Sequence, residues 1–162
     1  MGSGIRTDKR NIYSNEPNKI TMEALVLEML KVYGLKEIVG PEHNAEIVKF
    51  FKEIGFDWVK DDETAWCSAA LNYFCKKLGL QRSGKLDARS WLKVGTKIDT
   101  PQLGDIVVYW RNDPASWEGH VGIYISEDNG LIYTLGGNQG NMLQISPYAK
   151  DRVLGYRRLN KV

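Results

Sequence analysis

Apolar positions recur at three- and four-residue spacings in the first half of the chain and at alternate positions in the second. Met22, Leu25, Val26, Met29, Leu30 and Tyr33 form one stripe behind Thr21 and ahead of Gly34, which predicts an amphipathic helix over 21–33. A second helix is predicted after Asn44, with Ile47, Val48, Phe51 and Ile54 on one face and Gly55 past its end. A third runs from Ala65 to about Leu78, capped by Thr64 and stopped at Gly79, and it places Cys67 in its first turn. The acidic stretch Asp57 to Glu63 between the last two reads as a solvated loop, whose charges also suit the start of the helix that follows. Residues 1–18 are polar and aperiodic, the composition of a flexible leader, so a single folded domain is expected over 19–162.

After Pro101 the pattern changes. GDIVVYW, HVGIYIS and LIYTLGG are short β-branched and aromatic runs separated by turn residues, and they read as successive antiparallel strands. Two more are predicted at Leu143 to Ser146 and Val153 to Leu159. Helices followed by a sheet make an α+β domain. A turn centred on Asp128 and Asn129 would pair His120 with Gly137 and set Asn138 beside it.

Composition narrows the function classes. With 22 Lys and Arg against 20 Asp and Glu, the formal charge of +2 is far from the excess a nucleic-acid-binding surface carries. No apolar run approaches a membrane span, and the opening MGSGIRTDKRNIYSNEPNK lacks the apolar core of a signal peptide. Cys67 and Cys75 lie about 12 Å apart along one helix, too far for a disulfide. Two thiols are thus left without a bond to explain them. No clustering of Cys and His suggests zinc, and no metal or cofactor is expected.

A thiol attacks an amide as its thiolate, and an ordinary cysteine is mostly protonated at neutral pH. The first turn of a helix offers partial positive charge and free N–H groups to the sulfur, and a nearby imidazole can take the proton. Cys67 has the first feature, and its backbone N–H suits a developing oxyanion, where one donor is worth ~3 kcal/mol. His120, opening a strand after Gly119, is the candidate base, although a lone cysteine or histidine is more often a structural residue. Val121, Ile123 and Ile125 suit one face of that strand and His120 the other. Cys75 reads as core, and His43, in the turn GPEHN, as a surface or capping residue. Trp66, Trp110 and Trp117 suit either a groove wall or the core, whereas Trp91 reads as core. Arg152, Arg157 and Arg158 read as a solvated edge.

The segments ETAWCSAALNYF, ARSWL, PQLGDIVVYWR, GHVGIYI, LGGNQGN and LGYRRL, in this order, resemble the NlpC/P60 and CHAP superfamily of cysteine peptidases over about His43 to Leu159. The resemblance implies a papain-like fold, with the nucleophile at the start of a helix packed on the sheet that carries the histidine. It also implies amidase or endopeptidase action on peptidoglycan stem peptides. The third residue, which fixes the imidazole tautomer, varies across the superfamily. Asn138 is the best carry-over here, Gln139 a weaker substitute, and Asn138 also suits a Gly-Gly-Asn turn for its backbone tolerance alone. Some CHAP relatives bind calcium near the acidic loop, but Asp57, Asp61, Asp62 and Glu63 lack the spacing of a known calcium loop. The expected site is therefore catalytic Cys67, His120 and Asn138, with Trp66, Trp110, Trp117, Gly136 and Gly137 shaping the substrate groove.

The expected function is hydrolysis of a stem-peptide amide through an acyl-enzyme. Amide transfer or protein deamidation on the same fold is the first alternative, and a non-catalytic wall-binding module the second. A monomer is expected, with an immunity protein as partner if the owner is an exported toxin. Without an evident signal peptide, the protein would be made in the cytoplasm. It would reach the wall or periplasm through a secretion system or phage lysis.

Overall fold

The computed structural model describes residues 16–62 and 65–162. Among them, helices α1 (Glu16–Leu30), α2 (Ala45–Glu53) and α3 (Cys67–Leu78) precede a 3-10 helix at Ala88–Lys93. Six strands follow: β1 (Thr96–Ile98), β2 (Ile106–Trp110), β3 (Gly119–Asp128), β4 (Leu131–Gln139), β5 (Met142–Ala149) and β6 (Val153–Arg158). They form one antiparallel sheet in the order β1-β6-β2-β3-β4-β5. This is the expected helices-then-sheet α+β architecture, with β1 as an unanticipated edge strand.

The first helix begins five residues earlier than its apolar stripe suggested. Pro17 falls in its first turn, where a missing N–H costs no intrahelical bond, and Thr21 is buried inside the helix instead of capping it. Of the expected leader, residues 16–18 are helical and the rest lies outside the described residues. Met22, Leu25, Val26 and Met29 are buried as their spacing predicts. Leu30 and Tyr33 are not, because the helix ends at Leu30 and the chain turns away from the core. In α2 the Asn44 side chain accepts from the Glu46 N–H at 3.0 Å, so the cap is as expected; Phe50 joins Ile47 and Phe51 in the core.

One face of the sheet carries Ile106, Val108, Val121, Ile123 and Leu135 against the helices. The other holds a smaller cluster of Val107, Tyr109, Tyr124, Ile132 and Tyr156. Strand β2 is consequently buried on both faces, which is why GDIVVYW reads as a continuous apolar run and not as an alternation. Gly104, with a φ of +94°, lets α1 approach so closely that a Cβ there would lie 2.5 Å from that of Met22.

Two charges expected to be solvated are structural. Arg158 grips the fully buried Asp105 with two bonds of 2.9 and 2.8 Å, tying β6 to the start of β2. Asp62, from the acidic loop, is likewise fully buried. It accepts from the N–H groups of Ile38 and Asn44, both at 2.8 Å, and pairs with His43 Nδ1 at 3.1 Å. Burial alone would raise its pKa, but these donors outweigh that and hold the carboxyl below its ordinary value. Asp62 thus pins the loop ahead of α2 to the loop ahead of α3. Asp62→Ala is expected to lower the unfolding free energy by about 2–4 kcal/mol in urea titrations, since it orphans two backbone donors. A loss below 0.5 kcal/mol would show the clasp to be incidental.

Candidate active site

Cys67 is the first residue of α3. The expected Thr64 cap lies outside the described residues, and Trp66 occupies the cap position without a side-chain bond. Helix N–H groups therefore remain for the sulfur. Burial pushes the Cys67 thiol up, against backbone hydrogen bonds from Val121, Ser68 and Cys67 itself and the charge of Arg111, all of which favour the thiolate. The start of α3 is held from below: Ser68 Oγ donates to Lys85 O at 2.6 Å and accepts from Trp91 Nε1 at 2.8 Å. Trp91 is accordingly core, as read, and so is the fully buried Cys75, whose thiol burial also raises.

The Val121 N–H that reaches the sulfur belongs to the residue after His120. His120 pairs with Tyr109 across β2–β3, and its ring stacks on Tyr148 with centroids 4.9 Å apart. The link to Cys67 also runs through Tyr148, whose phenol feels the thiol's charge, and through Arg111, whose charge acts on both Cys67 and His120. Burial, aided by Arg111 and opposed by a hydrogen bond to Gln139, takes the imidazole pKa down to about 4.

That bond, His120 Nε2 to Gln139 Oε1 at 2.8 Å, assigns the tautomer. Gln139 Nε2 donates to two backbone carbonyls, Thr134 O at 2.9 Å and Gln144 O at 2.7 Å, so both amide hydrogens are committed and the amide cannot be flipped. Oε1 can only accept. His120 Nε2 must then carry the proton, which leaves Nδ1 with a free lone pair to serve as a base.

The partner of His120 is therefore Gln139 and not Asn138. The hairpin turn is Asn129-Gly130, one residue later than expected, with Asp128 opposite Leu131, and the β3–β4 register slips again between Tyr124 and Ser126. The β4–β5 ladder skips from Gly136 to Gln139, and Asn138 sits at the irregularity with a φ of +59°. This left-handed residue breaks the strand's alternation, so the side chain aimed at His120 is the next one along.

The other expected groove residues divide. Trp66 is fully buried, donating to Glu37 Oε1 at 2.9 Å, and lies under the groove instead of lining it. Gly137 makes room for it, since a Cβ there would come within 2.5 Å of the indole. Gly136 does the same for Gln139, whose Oε1 a Cβ would meet at 2.7 Å. Trp110 lines a cleft of about 290 Å³ beside His120, together with Tyr109, Arg111, Asn138, Tyr148 and Arg152. Trp117 is 77% exposed on the β2–β3 loop and is not part of that wall. The same loop is braced by Arg89 of ARSWL, which donates to the carbonyls of Asp113, Pro114 and Glu118. Sequence reasoning missed Tyr109 and Tyr148; nothing in their local patterns distinguishes them from other strand tyrosines. Among the described residues no three His, Cys, Asp or Glu side chains come together as a metal site.

Because the folded imidazole titrates near 4 against an ordinary 6.5, unfolding takes up a proton between these values. Stability from His120 is whole above pH 6.5 and is lost as pH falls towards 4, by up to about 3 kcal/mol. Urea midpoints of wild type and His120→Gln measured from pH 7 to 4 should converge with acidification. Parallel curves would mean the imidazole is not buried neutral.

No curated protein matches the chain. Residues 59–138 match the CHAP domain family. Among solved structures, the chain is similar to an NLP/P60-family lipoprotein-like protein of Staphylococcus aureus, with a TM-score of 0.53 and 19% identity over 86% of this chain and 41% of that one. It is also similar to the P60 domain of a Mycobacterium avium paratuberculosis antigen, with a TM-score of 0.50 and 18% identity over 90% and 96%. The peptidoglycan hydrolase RipB of Mycobacterium tuberculosis aligns with a TM-score of 0.52 and 16% identity over 90% and 67%. The chain spans about two fifths of the staphylococcal protein and nearly all of the P60 domain. The CHAP domain match spans both Cys67 and His120, and the fold is the papain-like one of these NlpC/P60 structures.

Proposed function

We propose that this protein is a cysteine hydrolase that cuts an amide bond in peptidoglycan stem peptides. Its nucleophile is Cys67, its base His120, and its positioning residue Gln139. The observation that carries the reading is the committed amide of Gln139, which leaves the Nδ1 lone pair of His120 available as a base, while the N–H of the next residue, Val121, reaches the thiol at the start of α3. A histidine kept neutral and in one tautomer has no evident use in mere wall binding. RipB, a hydrolase of peptidoglycan by name, supplies the substrate class.

At neutral pH both groups rest uncharged, so the thiol proton passes to Nδ1 as the sulfur bonds to the substrate carbonyl carbon. The carbonyl π pair moves onto oxygen, where the first N–H groups of α3 lie in wait. Collapse of this adduct expels the amine, which takes the proton from Nδ1, and a thioester remains on Cys67. Water, deprotonated by Nδ1, then attacks the thioester; the carboxylic acid leaves and the sulfur recovers the proton. The cleft beside His120 adjoins a second one, lined by Glu37, Ile38, Val39 and Asn141, and the two meet at Gly140. An extended peptide suits such a groove. Delivery to the wall by phage lysis or a secretion system, with an immunity partner in the latter case, belongs to the same proposal.

Mass spectrometry of purified peptidoglycan fragments after digestion tests the reading. New amine and carboxyl termini are expected with wild type and not with Cys67→Ala. Intact fragments with both proteins would overturn it. A mass gain on an acceptor amine, or loss of ammonia from a protein, would favour transfer or deamidation.

A further inference from the structure

The cleft beside His120 is lined by two arginines, Arg111 and Arg152, whose side chains make no hydrogen bond or ion pair with any described residue. The fold's other arginines nearby are committed: Arg158 to Asp105, and Arg89 to three carbonyls. Arg152 is also held in place, with its guanidinium carbon 4.8 Å from the centroid of the Trp110 ring. Stacking on an aromatic face restrains the fork while leaving its in-plane N–H groups open. Arg111 follows Trp110 directly in the chain and stands close enough to bear on both Cys67 and His120.

A cation beside a histidine that must become imidazolium opposes catalysis. Its charge there is offset if a substrate anion binds beside it, and two planar forks around one small cleft suit a carboxylate. We infer that Arg111 and Arg152 form a carboxylate-recognition subsite, which selects substrates bearing a free carboxylate next to the scissile amide. The inference rests on the hydrolase reading for its substrate class, and on the geometry alone for its ligand chemistry. With the anion bound, the net field at His120 falls, so a substrate lacking the carboxylate loses binding and proton transfer together. Peptidoglycan stems carry several carboxylates, and those converted to carboxamides would be refused.

The test uses soluble stem peptides in which each carboxylate is converted, one at a time, to the carboxamide. Isothermal titration of Cys67→Ala protein should show one carboxamide weakening binding roughly ten- to a hundredfold, the range for a lost charge-assisted pair. Adding Arg111→Gln or Arg152→Gln in that background should erase the difference between acid and amide, while circular dichroism melting shows the variants folded. With wild type, kcat/KM should fall for the same carboxamide. Equal binding of all forms, or discrimination that survives both arginine changes, would overturn the subsite even if wild type cuts every peptide, and the hydrolase reading would then stand alone. A parallel NMR titration with N-acetylglutamate covers the converse case. Shifts at the Trp110 indole that vanish in Arg152→Gln, with no peptide cleaved, would keep the subsite and discard the hydrolase reading. No shift and no discrimination would discard the subsite.

Discussion

Cys67→Ala is expected to abolish amide cleavage, reducing kcat by about 10⁴-fold or more while leaving the protein folded. The size follows from the covalent route: without the sulfur no thioester forms, and what remains is whatever binding and the N–H groups of α3 do for direct attack by water. Stability should change little by comparison, because the thiol is small and its partners are backbone donors that α3 can leave to water. Cys67→Ser is the sharper control. It keeps the volume and the donors, yet a hydroxyl is far harder to deprotonate than a thiol, so its activity should stay close to that of Cys67→Ala. Steady-state rates on stem peptides and thermal melts of the three proteins check both halves. A Cys67→Ala protein with more than a tenth of wild-type kcat would remove Cys67 from the chemistry, and Cys75, fully buried in α3, would not be a credible substitute.

Gln139 should matter far more than its neighbour Asn138. Gln139→Leu removes the acceptor that keeps the proton on Nε2, so the imidazole can adopt the tautomer with a protonated Nδ1 and lose its basic lone pair towards Cys67. A kcat loss of roughly 10²–10⁴ is expected, the scale on which a misplaced tautomer acts in comparable sites. Asn138→Gly, which keeps the positive φ, should lose less than about tenfold. Gln139→Glu separates the two jobs of this side chain. The carboxylate can still accept from Nε2, but it has nothing to donate to the carbonyls of Thr134 and Gln144, so the fold should weaken by several kcal/mol. Equal losses in Asn138→Gly and Gln139→Leu would show that the bulge, and not the amide, sets the site.

Much of this was legible beforehand, for identifiable reasons. Cys67 could be placed at the start of α3 because Thr64 suits a cap ahead of an apolar period that Gly79 ends, and a thiol at that point is chemically conspicuous. His120 could be placed at the start of β3 because Gly119 and the run after it define a strand start. Phe50 and the first turn of α1 were missed because burial there depends on what packs from other elements. The acidic loop misled for the same reason. Asp62 looks like its neighbours in sequence, and only the arrival of Ile38, Asn44 and His43, some twenty residues away, turns it into a buried clasp.

The third residue of the site marks the boundary most clearly. By itself the sequence determined the α+β order, the helix that carries Cys67 and the strand that carries His120, since these follow from local periodicity and from turn residues that act over a few positions. It also narrowed the imidazole's partner to the pair Asn138 and Gln139. The tertiary structure alone decided between them. A strand shows alternate side chains to opposite faces, so one left-handed residue at a bulge reverses which side chain points inward, and hydrogen bonds from β5 then hold Gln139 in place.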